Sequence, residues 1–142
     1  MDDARFAPQA ALLLRLALGG MWIAHGTWKI AAIGLAGLEG FLASHGLPAF
    51  AAPWLIAAEL IGGLMILAGV HGRWVSLALS PILIGAVFIH MPNGFIFVVQ
   101  GGGWEYPLFL LLASAAHALL GDGAGALGLR LPARSWLRPR AA

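Results

Sequence analysis

Apolar residues fill the chain in four long runs, and the polar residues fall mainly where one run gives way to the next. The runs cover roughly residues 9–33, 53–70, 74–91 and 104–121. Each is near the ~20 residues that a helix needs to cross a ~30 Å hydrocarbon layer. Inside lipid a single segment satisfies its own backbone only as a helix. The pattern therefore predicts an all-α protein: one domain over residues 1–142, an integral membrane bundle of four transmembrane helices. The first run opens with "MDDARF" rather than a basic stretch and carries His25 and Lys29 near its end. It is expected to be a retained helix rather than a cleaved signal peptide.

The connections differ in character. "HGR" at 71–73 predicts a tight turn, so the second and third spans are antiparallel neighbours. Segments 34–53 and 92–103 are themselves apolar and punctuated by Gly and Pro. They are expected as loops that lie against or re-enter the membrane and cover one face of the bundle. The pairs Gly19–Gly20 and Gly62–Gly63 are expected to let helices pack closely, and Pro81 to kink the third span. Arg5, Arg73, Arg130, Arg134, Arg138 and Arg140 all fall on one side of this arrangement, against Lys29 alone on the other. The positive-inside rule then places both termini in the cytoplasm, in a plasma (inner) membrane, with the apolar loops outside.

Composition sharpens this picture. The chain is 61% hydrophobic and only 10% charged, with a mean hydropathy of +0.88. Soluble domains carry about 25% charged residues, so this chain cannot cover a globule with polar surface. The pI of 9.9 accompanies a net charge of only +2, and half of the basic residues lie in a tail, 122–142. Such a tail beside membrane spans suits anionic lipid rather than nucleic acid. The absence of cysteine excludes disulfides, thiol relays, CxxCH haem attachment and Cys-ligated zinc or iron–sulfur sites.

Orientation turns scattered polar residues into a layer. The first helix carries His25 and Lys29 near its outer end. The second begins outside and places Glu59 about six residues, or ~9 Å, below the boundary. The third ends in His90 followed by Asn93, and the fourth begins at Glu105. His25, Lys29, Glu59, His90, Asn93 and Glu105 thus share one depth in the outer leaflet, where ionisable groups usually face the bundle interior. A His followed by a Glu in each of two hairpins gives a weak echo of a parallel repeat. Structural roles remain open for each residue. Glu59 can pair with Lys29 or a histidine, His25 and His90 can bond loop carbonyls, and Asn93 suits a turn. Most tryptophans fit an interfacial belt. Arg15 is expected to snorkel inward, and His117 is left without a role.

The segments "RLALGGMWIAHGTWKI" (15–30), "AELIGGLMILAGVHGRW" (58–74), "FIHMPNGF" (88–95) and "GGWEYPLFLLLA" (102–113) together resemble the signature regions of the DoxX family of small four-helix membrane proteins. The C-terminal "GDGAGALGL" departs from the family's usual GPG-type ending. The resemblance implies a redox-linked setting, with a small subunit serving quinone-dependent oxidation or a membrane oxidoreductase assembly.

Three functions stay open. The first is a redox component with a quinone-type or other small-molecule site formed by the polar layer, its electrons supplied by substrate or by a partner oxidoreductase subunit, since the chain offers no electron carrier of its own. The second is a metal site, with His25, Glu59, His90 and Glu105 as a four-helix ligand set, opposed by the nearby charge of Lys29. The third is a non-enzymatic assembly subunit, or a small-solute transporter that would require a homo-oligomer.

Overall fold

The computed structural model describes residues 3–128; Arg130, Arg134, Arg138 and Arg140 of the basic tail lie outside them. The described residues form helices and connections without a strand. The principal helices are α1 (Ala7–Trp28), α2 (Gly34–Ser44), α3 (Ala52–Ala68), α4 (Gly72–His90) and α5 (Glu105–Leu120). Helical segments Ala7–Ser44, Ala49–Ala68 and Gly72–Asn93 are each long and apolar enough to cross a membrane. α5 is equally apolar in character but spans only 16 residues, shorter than the expected run of 104–121.

Local chemistry sets these boundaries. Proline near the start of α1 and α3 costs no hydrogen bond, because the first-turn amides have no intrahelical partner. α3 stops at Gly69, which adopts a left-handed φ of 69°. There the amides of Gly69 and Val70 bond back to the carbonyls of Ile66 and Met65, at 3.0 and 2.9 Å. His71, also left-handed at φ 52°, completes the reversal into α4.

α1 packs most extensively on α3 and α4 on α5, while α3–α4 and α1–α5 contacts close the ring. Its core holds Leu18, Trp22, Ile66, Leu79, Leu83 and Leu110. Glycine makes the close crossings possible. A Cβ on Gly19 would lie 2.8 Å from the Leu67 amide nitrogen and 2.9 Å from the Gly63 carbonyl oxygen. Gly63 meets Trp22 and Ile23 of α1, whereas Gly62 meets Leu79 of α4. The expectation for the first glycine pair is only half met, because Gly20 has nothing within 4 Å and faces outward. Large apolar side chains including Leu13, Ile61, Phe88 and Phe109 stay exposed on the outside, as a lipid-facing surface requires.

The segment expected as an apolar loop, 34–53, is largely helical. Leu38 and Leu42, one turn apart, bury against Ala52 and Ile56 of α3 and the neighbouring Ile33. That i, i+4 spacing is the helical signal that the three glycines of α2 obscure. Between α1 and α2, Lys29–Ile33 form a wide π-helical turn that ends at Gly34, with φ 73°. Such turns re-aim side chains within an otherwise regular helix.

Candidate functional site

At the end of the bundle where α1 leaves and α5 begins, Gly26 faces α3. A Cβ there would meet Leu60 Cδ2 at 2.8 Å and Glu59 Cβ at 3.4 Å, so glycine allows α1 to lie directly against the Glu59 turn. Three residues on, at the first position of the π turn, Lys29 donates from Nζ to Glu59 Oε1. The Glu59 residue is 1% exposed, and its second oxygen, Oε2, has no hydrogen-bond partner. The Lys29 side chain is 16% exposed. A buried carboxyl group needs a compensating partner, and Lys29 is the one the helix geometry delivers.

His25 lies one turn before Lys29 on α1. Its Nε2 sits 3.3 Å from the Tyr106 hydroxyl of α5, and the two rings stack with centroids 5.7 Å apart. Histidine, lysine and glutamate from two helices are thereby extended by a phenol from a third. Two contacts result, the Glu59–Lys29 ion pair and the His25–Tyr106 hydrogen bond, with His25 and Lys29 one helical turn apart along the chain.

The other three residues of the layer build the connection between α4 and α5. His90 Nδ1 lies 2.9 Å from the Gly101 carbonyl, and Asn93 donates to the carbonyls of Gly101 and Gly102 at 3.0 and 3.1 Å. Gly101 and Gly102 both require positive φ, 86° and 75°, which explains glycine at those positions. Glu105 Oε1 accepts the Phe97 amide at 2.7 Å, and the Glu105 amide donates to the Phe95 carbonyl at 3.0 Å. Phe95 meets the edge of Trp104 at 4.7 Å between centroids. His90, Asn93 and Glu105 therefore hold segment 94–104 in shape, while half-buried His25 and Lys29 lead in to buried Glu59.

The two groups meet at Tyr106, whose ring lies 5.7 Å from that of Phe97. On the outside, Phe95 and Phe97 on one wall and Glu105, Tyr106, Phe109 and Leu112 on the other enclose an open, largely apolar groove. Glu105 and Tyr106 are its polar points. Sequence reasoning centred on ionisable groups passes over Tyr106. The signal available was its position as the sole tyrosine of the chain, beside Glu105 and at the depth of His25. Among the described residues no three His, Cys, Asp or Glu side chains gather as a metal-ligating group. His25, Glu59, His90 and Glu105 do not form such a set.

Comparison with known proteins gives one family and one curated relative. The family model for DoxX matches residues 10–92. A protein of Bacillus subtilis (strain 168) named "Putative oxidoreductase CatD" is 36% identical over 112 residues, which cover 78% of each chain. The matched family region takes in α1 through α4, including His25, Lys29, Glu59 and His90. No solved structure matches the chain.

Proposed function

This chain belongs to the DoxX family of membrane proteins, and from that premise we propose that it is a redox-linked membrane component holding a quinone-type small molecule in the outer leaflet. One observation carries the reading: Tyr106 both lines the lipid-accessible groove and hydrogen-bonds His25, which leads inward to Lys29 and Glu59. A ring ligand lying against Phe95, Phe97 and Phe109 would present its oxygen to the Tyr106 hydroxyl. Tyr106 would orient that oxygen, and His25 behind it would take or return a proton, as general acid–base chemistry requires. The Lys29–Glu59 pair fixes charge one helical turn from His25.

In this reading four spans, with α5 as the last and shortest, place both termini in the cytoplasm of a plasma-membrane protein. Arg5, Arg15 and Arg73 lie toward the end away from Lys29, in keeping with the positive-inside rule. The chain supplies no electron carrier, so the electrons of a quinone-type couple pass to or from a partner oxidoreductase subunit. The name of the Bacillus subtilis relative supports an oxidoreductase setting.

A second reading, an assembly subunit without a ligand of its own, is favoured by the exposed apolar segment Phe95–Val99, which suits a protein partner. The deciding experiment measures binding of a short-chain quinone to the full chain in lipid nanodiscs, alongside Tyr106→Phe and His25→Ala. Saturable binding weakened about tenfold in Tyr106→Phe, the loss of one hydrogen bond to a polar partner, supports the first reading. Absence of binding by the folded wild-type chain, or equal binding by all three, overturns it.

A further inference from the structure

At the opposite end of the bundle, residues 121–128 leave α5 and fold back as a strap across all four long helices. The Ala124 amide donates to Pro8 O at 2.9 Å, at the start of α1, and the Leu127 amide to Ala68 O at 3.0 Å, at the end of α3. Asp122 caps α4, its carboxylate accepting the amides of Gly72 at 3.1 Å and Arg73 at 2.8 Å. Arg15, 3% exposed on α1, reaches the strap carbonyls of Asp122 and Ala124 at 3.0 and 3.2 Å. At Gly123, with φ 70°, a Cβ would lie 2.6 Å from Ala11 Cβ and Pro8 O, so the strap fits only as glycine there.

His117 of α5 lies under this strap, fully buried. Its Nδ1 is 2.8 Å from Ser76 Oγ, also fully buried, on α4. Its Nε2 has no hydrogen-bond partner and faces Asp122 Oδ1 at 3.6 Å. Arg15 from α1, Arg73 from α4 and Asp122 from the strap are the charged groups around it. α3 contributes none, since its one ionisable residue, Glu59, is at the far end. The gap has a chemical reading. When the neutral ring carries its proton on Nδ1 and donates it to Ser76, the Nε2 lone pair faces a carboxylate oxygen. A proton added at Nε2 turns that opposition into a charge-assisted hydrogen bond of about 2.8 Å.

We propose that His117 is a second proton-exchanging site, facing the end read as cytoplasmic, whose protonated form binds Asp122 and tightens the 121–128 strap. The step takes one proton from water and moves no electrons. It stands independently of the quinone reading, whose residues lie at the other end. Burial away from water, Arg15 and Arg73 oppose protonation, while Asp122, whose carboxylate accepts two backbone amides, favours it.

The chain has no native cysteine, so a nitroxide on Leu127→Cys, an exposed strap position, reports strap motion alone. The full chain in nanodiscs is titrated from pH 8 to 5, with ¹⁵N-histidine spectra following the imidazole and the nitroxide following the strap. His117 is assigned by its loss in His117→Gln. The expected result is one midpoint shared by the imidazole and by a fall in label mobility. In Asp122→Asn that midpoint drops by about one pH unit or more, as removal of a neighbouring carboxylate requires, and the mobility change disappears. Should either variant fail to fold, the wild-type titrations decide. A His117 ring that does not titrate, a label whose mobility ignores pH, or an unchanged midpoint in folded Asp122→Asn each overturns the proposal.

Discussion

Removing the cation from the buried pair, Lys29→Met, isolates the physics of the site. Glu59 is 1% exposed and has Lys29 as its sole side-chain partner among the described residues, through Oε1. Deleting one member of such a pair costs about 3–5 kcal/mol, because the other is left as an uncompensated buried charge. The carboxyl can escape by taking up a proton. From a reference value of about 4.3, doing so at pH 7 costs about 1.36 × 2.7, or about 3.7 kcal/mol, which sets a ceiling inside the same range. The sign of the pH dependence follows. In the variant the folded state holds one proton that the unfolded state releases above about pH 4.3, so stability falls as pH rises, by about 1.4 kcal/mol per unit. Unfolding in mixed micelles should show Lys29→Met regaining about 2.7 kcal/mol between pH 7 and pH 5 relative to wild type. Adding Glu59→Gln to it should abolish that slope and recover part of the loss. A Lys29→Met variant within about 1 kcal/mol of wild type at pH 7, the value of an exposed pair, would refute the reasoning.

Tyr106→Phe removes the hydroxyl that meets His25 while keeping the ring; it should cost about 1 kcal/mol of stability, read by the same unfolding assay. Two of the three α1 glycines make an internal control. Gly26→Ala should destabilise by about 1–3 kcal/mol through overpacking against Leu60, whereas Gly20→Ala, with open space, should be neutral or stabilise by up to about 1 kcal/mol. Glu105→Gln retains an oxygen for the Phe97 amide and should leave segment 94–104 protected from hydrogen exchange, whereas Glu105→Ala should expose the Phe97 amide to fast exchange.

Much of the fold is legible because a lipid-facing helix must be apolar over its whole length, which hydropathy reads directly. α2 escapes that reading: its burial rests on two leucines, and Gly34, Gly37 and Gly40 read as loop punctuation until the partner surface at Ala52 and Ile56 is seen. The nearness of Lys29 to Glu59 follows from helix rise and antiparallel order, both available from sequence. Tyr106 needed tertiary information, since its role depends on which face of α5 turns toward His25. The His117 environment is less accessible still. Ser76 and Asp122 reach it from separate segments, and Asp122 sits in a glycine-rich stretch whose path no periodicity encodes.

The ring of helices is unevenly joined, with α1 tight on α3 and α4 tight on α5. The Lys29–Glu59 pair lies wholly inside the first unit, whereas the His25–Tyr106 hydrogen bond crosses the seam between the two. A slight parting of the units would leave the ion pair intact and break the phenol–imidazole contact first. Under the proposed function the polar series contains its own circuit breaker: proton passage between the groove and the buried charge would depend on how closely the two halves of the bundle are shut.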